Sequence, residues 1–232
     1  MRVGAALPDP PFEFMTKNGP AGFDILLMKR IAEILGRQWQ LVPYKGGDFN
    51  GIFAGLDDGR YDCVASGTTV TPRRQKLADF CAPYAMSGQS LVVDVGHQPS
   101  VHGIADLNGL VIGVQQGNTS QAVADSLVAE HRAAGVRVYA YDQIEKALDD
   151  LTSGGCDAFM KLAPVTAWFA RDRPTLRVVE TGITVERLGI CVRTGNTPLR
   201  TAISKAQTKL RADGSLAALI KHWLGSGASL PT

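Results

Sequence analysis

Arg73 and Arg74 follow Thr71-Pro72 at the end of the run Ala65-Ser66-Gly67-Thr68-Thr69-Val70. Thr71 suits a helix N-cap and Pro72 the first helical position, so both arginines are expected in a first turn. The field at a helix N-terminus favours anions and opposes cations. Local conflicts of this kind tend to mark function. Here the chemistry would be a guanidinium turned off the helix to hold a ligand carboxylate in a two-pronged hydrogen bond. A solvated basic face is the ordinary fate of an arginine pair. Thr69 and Gly67 change that expectation, because they set a hydroxyl and a bare backbone beside it that a small ligand can approach closely. Ser66 opens the same run and joins the candidates.

A second candidate is Gln115-Gln116-Gly117-Asn118-Thr119-Ser120, which joins a strand over 110–114 to a helix running to about residue 134. Backbone N–H groups and the positive end of a helix suit a carboxylate. Every strand-to-helix junction offers as much, so the pattern gains meaning only if it faces Arg74 across a cleft. Asn118-Thr119-Ser120 is formally a glycosylation sequon, discounted because it lies at a functional helix start.

Other chemistries find little support. There is no P-loop, no G-x-S-x-G, no H-E-x-x-H and no G-x-G-x-x-G. His97, His102, His131 and His222 lack metal-ligand spacing, so no metal or cofactor is expected. The pairs Asp57-Asp58 and Asp149-Asp150 read as solvated. Cys63, Cys81, Cys156 and Cys191 form no C-x-x-C pair and read as small buried hydrophobes. A disulfide such as Cys63 with Cys81 stays open on spacing alone. A formal net charge of +2 over 232 residues offers no concentrated basic stripe for nucleic acid. No apolar run approaches the roughly 20 residues a membrane helix needs. Met1-Arg2-Val3 leads straight into a strand, so for an exported protein a signal peptide is expected to have been removed.

Several elements must position these residues. A strand at 2–6 precedes a proline-broken loop. Asp24 is expected to cap a helix whose Ile25, Met28, Ile31 and Leu35 share one face, with Gly36 as its stop. A strand at 39–43, a helix at 52–58 and a strand at 61–66 complete a βαβαβ order. That order implies a parallel sheet, with ligands at the carboxyl ends of its strands. Phe49 should lie exposed at the tip of the loop 45–51. Further along, strands are expected at 90–95, 136–141, 157–161, 176–180 and 188–193. Asp142 with Glu145 resembles a capping box, Pro164 opens a helix, Thr197 caps a long one, and a last helix covers 215–224.

The run from Gly67 through Thr69 and Thr71 to Arg74, followed by Asp79-Phe80 and Pro83-Tyr84, resembles the signature of periplasmic solute-binding proteins for polar amino acids. These are the ligand receptors of ABC importers. Pro11-Phe12-Glu13-Phe14 and Gly22-Phe23-Asp24 match the same family's first segment. The resemblance implies a two-lobed α/β fold of the type II periplasmic-binding class. Each lobe would be a mixed, mainly parallel sheet flanked by helices, with two hinge strands joining the lobes. Lobe 1 would hold residues 1–86 and 190–232, and lobe 2 residues 87–189. It further implies that Arg74, Thr69 and Gly67 hold the ligand and Phe49 covers it. Gly117, Asn118 and Thr119 would engage from the other lobe, with Gln115 and Lys161 setting selectivity. The partners implied are a small carboxylate or amino-acid-like ligand and an ABC permease. The protein would be a periplasmic or extracellular monomer, with a membrane anchor at full length as the alternative. The same module also serves as a sensor domain of membrane receptors, and a few relatives are dehydratases that use one acid, for which Asp9 is the candidate.

The chain departs from the family at the ligand ammonium. Leu162, preceded by Lys161, stands where α-amino acid binders usually place an Asp. Asp9 stands where many members carry an aromatic ring over the ligand, and Ala6 where several carry another Asp. An apolar side chain cannot compensate a buried ammonium, which costs several kcal/mol if left unpaired. Two readings follow. In one, the ligand is a carboxylate without an ordinary α-amino group, and Lys161 takes its second acidic or polar group. In the other, Asp9 takes over the ammonium.

Overall fold

Short apolar runs punctuated by glycine and proline become strands, and the runs with helical spacing become helices that cover them. The computed structural model describes residues 1–231. In chain order the elements begin with β1 (Arg2–Ala6), β2 (Phe14–Thr16), β3 (Gly19–Ala21), α1 (Phe23–Ile34), β4 (Gln40–Tyr44), α2 (Ala54–Asp57), β5 (Cys63–Val64), β6 (Asp79–Phe80) and β7 (Ala85–Ser87). They continue with β8 (Gln89–Asp94), β9 (Val111–Gln115), α3 (Thr119–Ala129), β10 (Gly135–Tyr139), α4 (Ile144–Ser153), β11 (Ala158–Leu162), α5 (Ala163–Arg171) and β12 (Leu176–Glu180). Last come β13 (Glu186–Leu188), β14 (Cys191–Val192), α6 (Thr197–Ala212) and α7 (Ser215–Trp223).

These elements form two compact units. The first comprises Met1–Lys45, Asn50–Met86 and the chain from Glu186 onward; the second comprises Gly46–Phe49 and Ser87–Val185. The first unit holds a sheet ordered β4-β1-β5-β14-β6. β1 pairs parallel with β4 and β5, and β14 pairs antiparallel with β5 and β6. The second unit repeats the plan in a sheet ordered β10-β9-β11-β8-β12. There β9 pairs parallel with β10 and β11, and β8 pairs antiparallel with β11 and β12. In each sheet one strand, β14 or β8, therefore runs against the other four. β8 is the first strand after the chain passes into the second unit at Ser87, and β14 the second after it returns to the first at Glu186. The fold is mixed α/β, with strands mainly parallel, as expected.

Burial follows from this topology. β1 is buried from Val3 to Ala6 and β8 over its whole length, as central strands covered on both faces require. In the first unit α1 buries Ile25, Leu27, Met28 and Ile31 and packs beside α6 and α7. In the second, Leu91, Val93, Ile112, Val114 and Met160 meet Leu127 of α3. Each such side chain contributes about 1.5–3 kcal/mol of burial.

Several local expectations are corrected. Asp24 does not cap α1; Gly22 takes the cap position, with φ 121°. Backbone carbonyls do the capping instead, since the Phe23 and Asp24 N–H groups donate to Pro11 and Phe12 at 2.9 and 3.0 Å. That leaves the Asp24 side chain available for work elsewhere. No α-helix follows Thr71. Arg74–Lys76 is a single 3-10 turn, because the chain must turn again into β6 within a few residues. The helix field opposing the two arginines is correspondingly slight. The capping box at Asp142 is not formed, Gln143 being the cap residue. Asn196 rather than Thr197 caps α6, accepting from the Leu199 N–H at 3.3 Å. The strand expected at 188–193 is split into β13 and β14. All four cysteines are buried free thiols, so Cys63 and Cys81 are not bridged.

Candidate functional site

The candidate residues fall into two groups, one in each unit. In the first unit β5 ends at Val64, and the loop from Ser66 to Thr69 is fastened from beneath by buried carboxyl groups. The Ser66 hydroxyl donates to Glu13 and accepts the Ala6 N–H at 3.0 Å. The Gly67 N–H donates to Asp24 Oδ2 at 2.6 Å, and the Tyr84 hydroxyl reaches the same oxygen at 3.2 Å. Gly67 has φ +51°, and a Cβ there would sit 3.2 Å from the Phe12 ring. Glycine is thus required by both backbone conformation and space.

Burial raises the Asp24 carboxyl to about 7, and the charge of Asp9 adds to the effect. The Gly67 N–H, the Tyr84 hydroxyl and Glu13 act in the opposite sense. Burial also holds the Tyr84 phenol well above its usual range, so it stays a neutral donor. Asp9 is buried, its backbone bridging that of Glu13.

Above this floor sits Arg74. It is buried, 4% exposed, while Arg73 lies in solvent. Its backbone N–H donates to Thr71 Oγ1 at 3.2 Å, which holds the 3-10 turn. The guanidinium is aimed by Nε donating to Asn50 Oδ1 at 3.2 Å and Nη1 to the Thr69 carbonyl at 3.1 Å. The Phe53 ring lies 5.9 Å from its central carbon. The Thr69 hydroxyl donates to Glu186 Oε2 at 2.5 Å. Arg74, Thr69 and Gly67 are therefore on one loop of one unit, and Ser66 serves its underside.

The second unit gathers the rest. Gln115, at the end of β9, is fully buried, and its amide N–H donates to the Tyr141 carbonyl. Its Oε1 accepts from Lys161 Nζ and, at 3.5 Å, from Asn118. Lys161 does not point to solvent: it is 2% exposed, with Nζ 5.1 Å from the centre of the Tyr141 ring. Gly117 has φ +79° and donates to Gln121 Oε1 at 3.0 Å. Asn118 is the cap residue of α3 in extended conformation, without a side-chain capping bond. The Thr119 hydroxyl accepts from Gln89 at 3.1 Å. Leu162 ends β11, buried.

Phe49 departs from its expected exposure. It is buried, its ring 5.2 Å from that of Tyr141 and its N–H donating to the Gln116 carbonyl at 3.1 Å. It groups with the second unit. An aromatic ring on a short glycine-flanked loop buries itself where another ring is within reach.

Sequence reasoning missed Asn50, Glu13, Asp24, Tyr84 and Glu186 in the first unit and Gln89 and Tyr141 in the second. Glu13 and Asp24 carried a faint signal, being acids inside otherwise apolar segments. Glu186 carried none, for it lies 117 residues from the threonine it holds.

Comparison with known proteins gives the class, a receptor of small solutes. An ancestral arginine-binding protein bound to arginine superposes with a TM-score of 0.87 at 34% identity, covering 97% of this chain and 98% of that one. An ancestral amino acid-binding protein, AncCDT-1, a precursor of cyclohexadienyl dehydratase, gives 0.86 at 32% identity, covering 97% and 95%. The L-cystine-binding protein TcyJ of Escherichia coli (strain K12) is 30% identical over 220 residues, 94% of this chain and 79% of its own. Residues 1–226 match the model of the bacterial extracellular solute-binding proteins, family 3, and the chain belongs to that family. Among the described residues no helix is long and apolar enough to cross a membrane, and no group of His, Cys, Asp and Glu could hold a metal ion.

Proposed function

We propose that this solute-binding protein captures an amino acid or amino-acid-like carboxylate outside the cytoplasm, as a monomer, and presents it to an ABC permease. Arg74 takes the ligand carboxylate, with Gly67 and Thr69 beside it. The lobes 1–86 with 190–232 and 87–189 then close on the ligand. Gln115, Gly117, Asn118, Thr119, Lys161 and Leu162 make the second set of contacts, and Phe49 and Asp9 complete the walls. A ligand shifts an open–closed balance only by its preference for the closed form, so both sets are needed. No catalytic step is assigned.

One observation carries this reading. A buried guanidinium is aimed by two fixed acceptors, Asn50 Oδ1 and the Thr69 carbonyl, which leaves it pre-organised for a carboxylate. The relatives named above, receptors for arginine, other amino acids and cystine, support the ligand class. The test is thermal melting of the protein with the twenty common L-amino acids and L-cystine. At least one should raise the melting temperature, and Arg74→Ala should remove that rise while its unliganded melting stays cooperative. An undiminished rise in Arg74→Ala would count against the role of Arg74.

A further inference from the structure

The loop that carries Thr69 has a reverse face. Thr69 bridges Leu188 in antiparallel fashion, and the Val70 N–H donates to the Arg187 carbonyl at 2.8 Å. Successive side chains of an extended chain point to opposite sides. Thr69 and Glu186 meet on one side of this pairing. Val70 and Arg187 lie on the other, where a cavity of about 270 Å³ opens within the first unit. Arg74 does not line it.

Val70, Pro72, Phe80 and Pro83 give the cavity apolar walls. A Cβ on Gly189 would come 3.0 Å from Val70 Cγ2 and 3.3 Å from Phe80 Cδ1, so two of these walls rest closely on bare backbone. Cys81 is the one buried lining residue, and its thiol donates to the Arg200 carbonyl at 3.7 Å. Burial pushes that thiol up to about 11, so it stays protonated and adds soft apolar surface rather than a nucleophile. The remaining lining groups are the exposed side chains of Gln75 and Arg187. No lining residue is acidic. Among the described residues, the Arg187 guanidinium has no ion pair and the Gln75 amide no hydrogen bond.

Apolar walls with a few converging polar groups are the general form of a small-molecule site. A guanidinium presents a planar fork of donors that fits a carboxylate. We propose that this cavity is a second ligand site, for a small carboxylate carrying an aromatic or branched aliphatic body. Arg187 takes the carboxylate, Gln75 hydrogen-bonds beside it, and the proline, valine and phenylalanine walls cover the apolar part. The site does not depend on the role given to Arg74 above.

The experiment is an amide-resolved NMR titration of the full chain with benzoate, acetate and benzamide. It is run on wild type, Arg187→Gln, Arg187→Lys and Arg74→Ala. In wild type, benzoate should give saturable shifts at the amides of Val70, Gln75, Phe80 and Arg187. Acetate lacks the ring and benzamide the charge, so each should bind at least about tenfold more weakly. Arg187→Gln should weaken benzoate by about tenfold, and Arg187→Lys, which keeps the charge without the fork, should recover part of it. Arg74→Ala should leave the benzoate shifts in place, and Arg187→Gln should keep the amino-acid-induced rise in melting temperature. Absence of saturable shifts at these amides overturns the site, as does benzoate binding that Arg187→Gln leaves unchanged or Arg74→Ala removes. Acetate or benzamide binding as well as benzoate overturns the ligand class, and these comparisons on wild type hold whatever a variant does to folding.

Discussion

The two units are built on one sheet plan yet fasten their candidate residues by different chemistry. In the first, the loop from Ser66 to Thr69 rests on buried acids: Glu13 under Ser66, Asp24 under Gly67, Glu186 beside Thr69. In the second, neutral amides hold the corresponding groups: Gln89 on Thr119, Gln121 on Gly117, Gln115 on Lys161. A buried carboxyl grips more strongly than an amide but answers to pH, whereas an amide does not titrate. The first unit is therefore expected to be the tighter and the more pH-sensitive holder.

The largest contrast should come from the anchors. Arg74→Ala should abolish ligand-induced stabilisation in a melting experiment. Thr119→Val on the other unit should only reduce it, and equal losses would erase the distinction between the units. Next comes pH. The carboxyl of Asp24 is raised to about 7 by burial, above its unfolded value. Its contribution to stability is thus fully present below about pH 4 and is lost as pH rises toward about 7. Asn in its place keeps an oxygen for Gly67 and Tyr84 and cannot ionise. Asp24→Asn should therefore gain stability relative to wild type between pH 5 and 8, by an amount on the order of a few kcal/mol at most. Denaturant melts at both pH values check it, and a difference that shrinks with rising pH would break the comparison.

A smaller effect is expected at Gly67. Alanine there meets a left-handed backbone and the Phe12 ring, costing roughly 1–2 kcal/mol. Gly67→Ala should lower both the melting temperature and ligand affinity, whereas Gly182→Ala in the second unit, with φ +72° and nothing within 4 Å of its Cβ, should show the backbone cost alone. The smallest is Thr119→Val without ligand, which removes one hydrogen bond to Gln89 worth about 0.5–1.5 kcal/mol. Its unfolding midpoint should move by a few degrees at most.

Much of this was legible in residues near one another in the chain. The core face of α1 follows from apolar spacing. Gly36, Gly59 and Gly154 end their helices with positive φ, as glycine at those points implies. Arg74 stood out beside Thr69 and Gly67, although the helix supposed to carry it is a single turn. Caps are less legible: the roles expected of Asp24, Asp142 and Thr197 fall to another residue or to the backbone. A cap depends on which acceptor reaches the N–H groups first, and for α1 that acceptor comes from the distant segment Pro11-Phe12.

Local sequence thus determined the alternation of strands and helices, the glycine turns and the guanidinium with its neighbouring hydroxyl, because these arise from backbone sterics and short-range periodicity. Tertiary structure alone decided that Arg74 is buried and Arg73 solvated, that Phe49 folds against Tyr141, and that Glu186 meets Thr69. Each of these depends on strand pairing between segments far apart in the chain. Which charges end up sharing a desolvated space is a property of that pairing, and no window of neighbouring residues contains it.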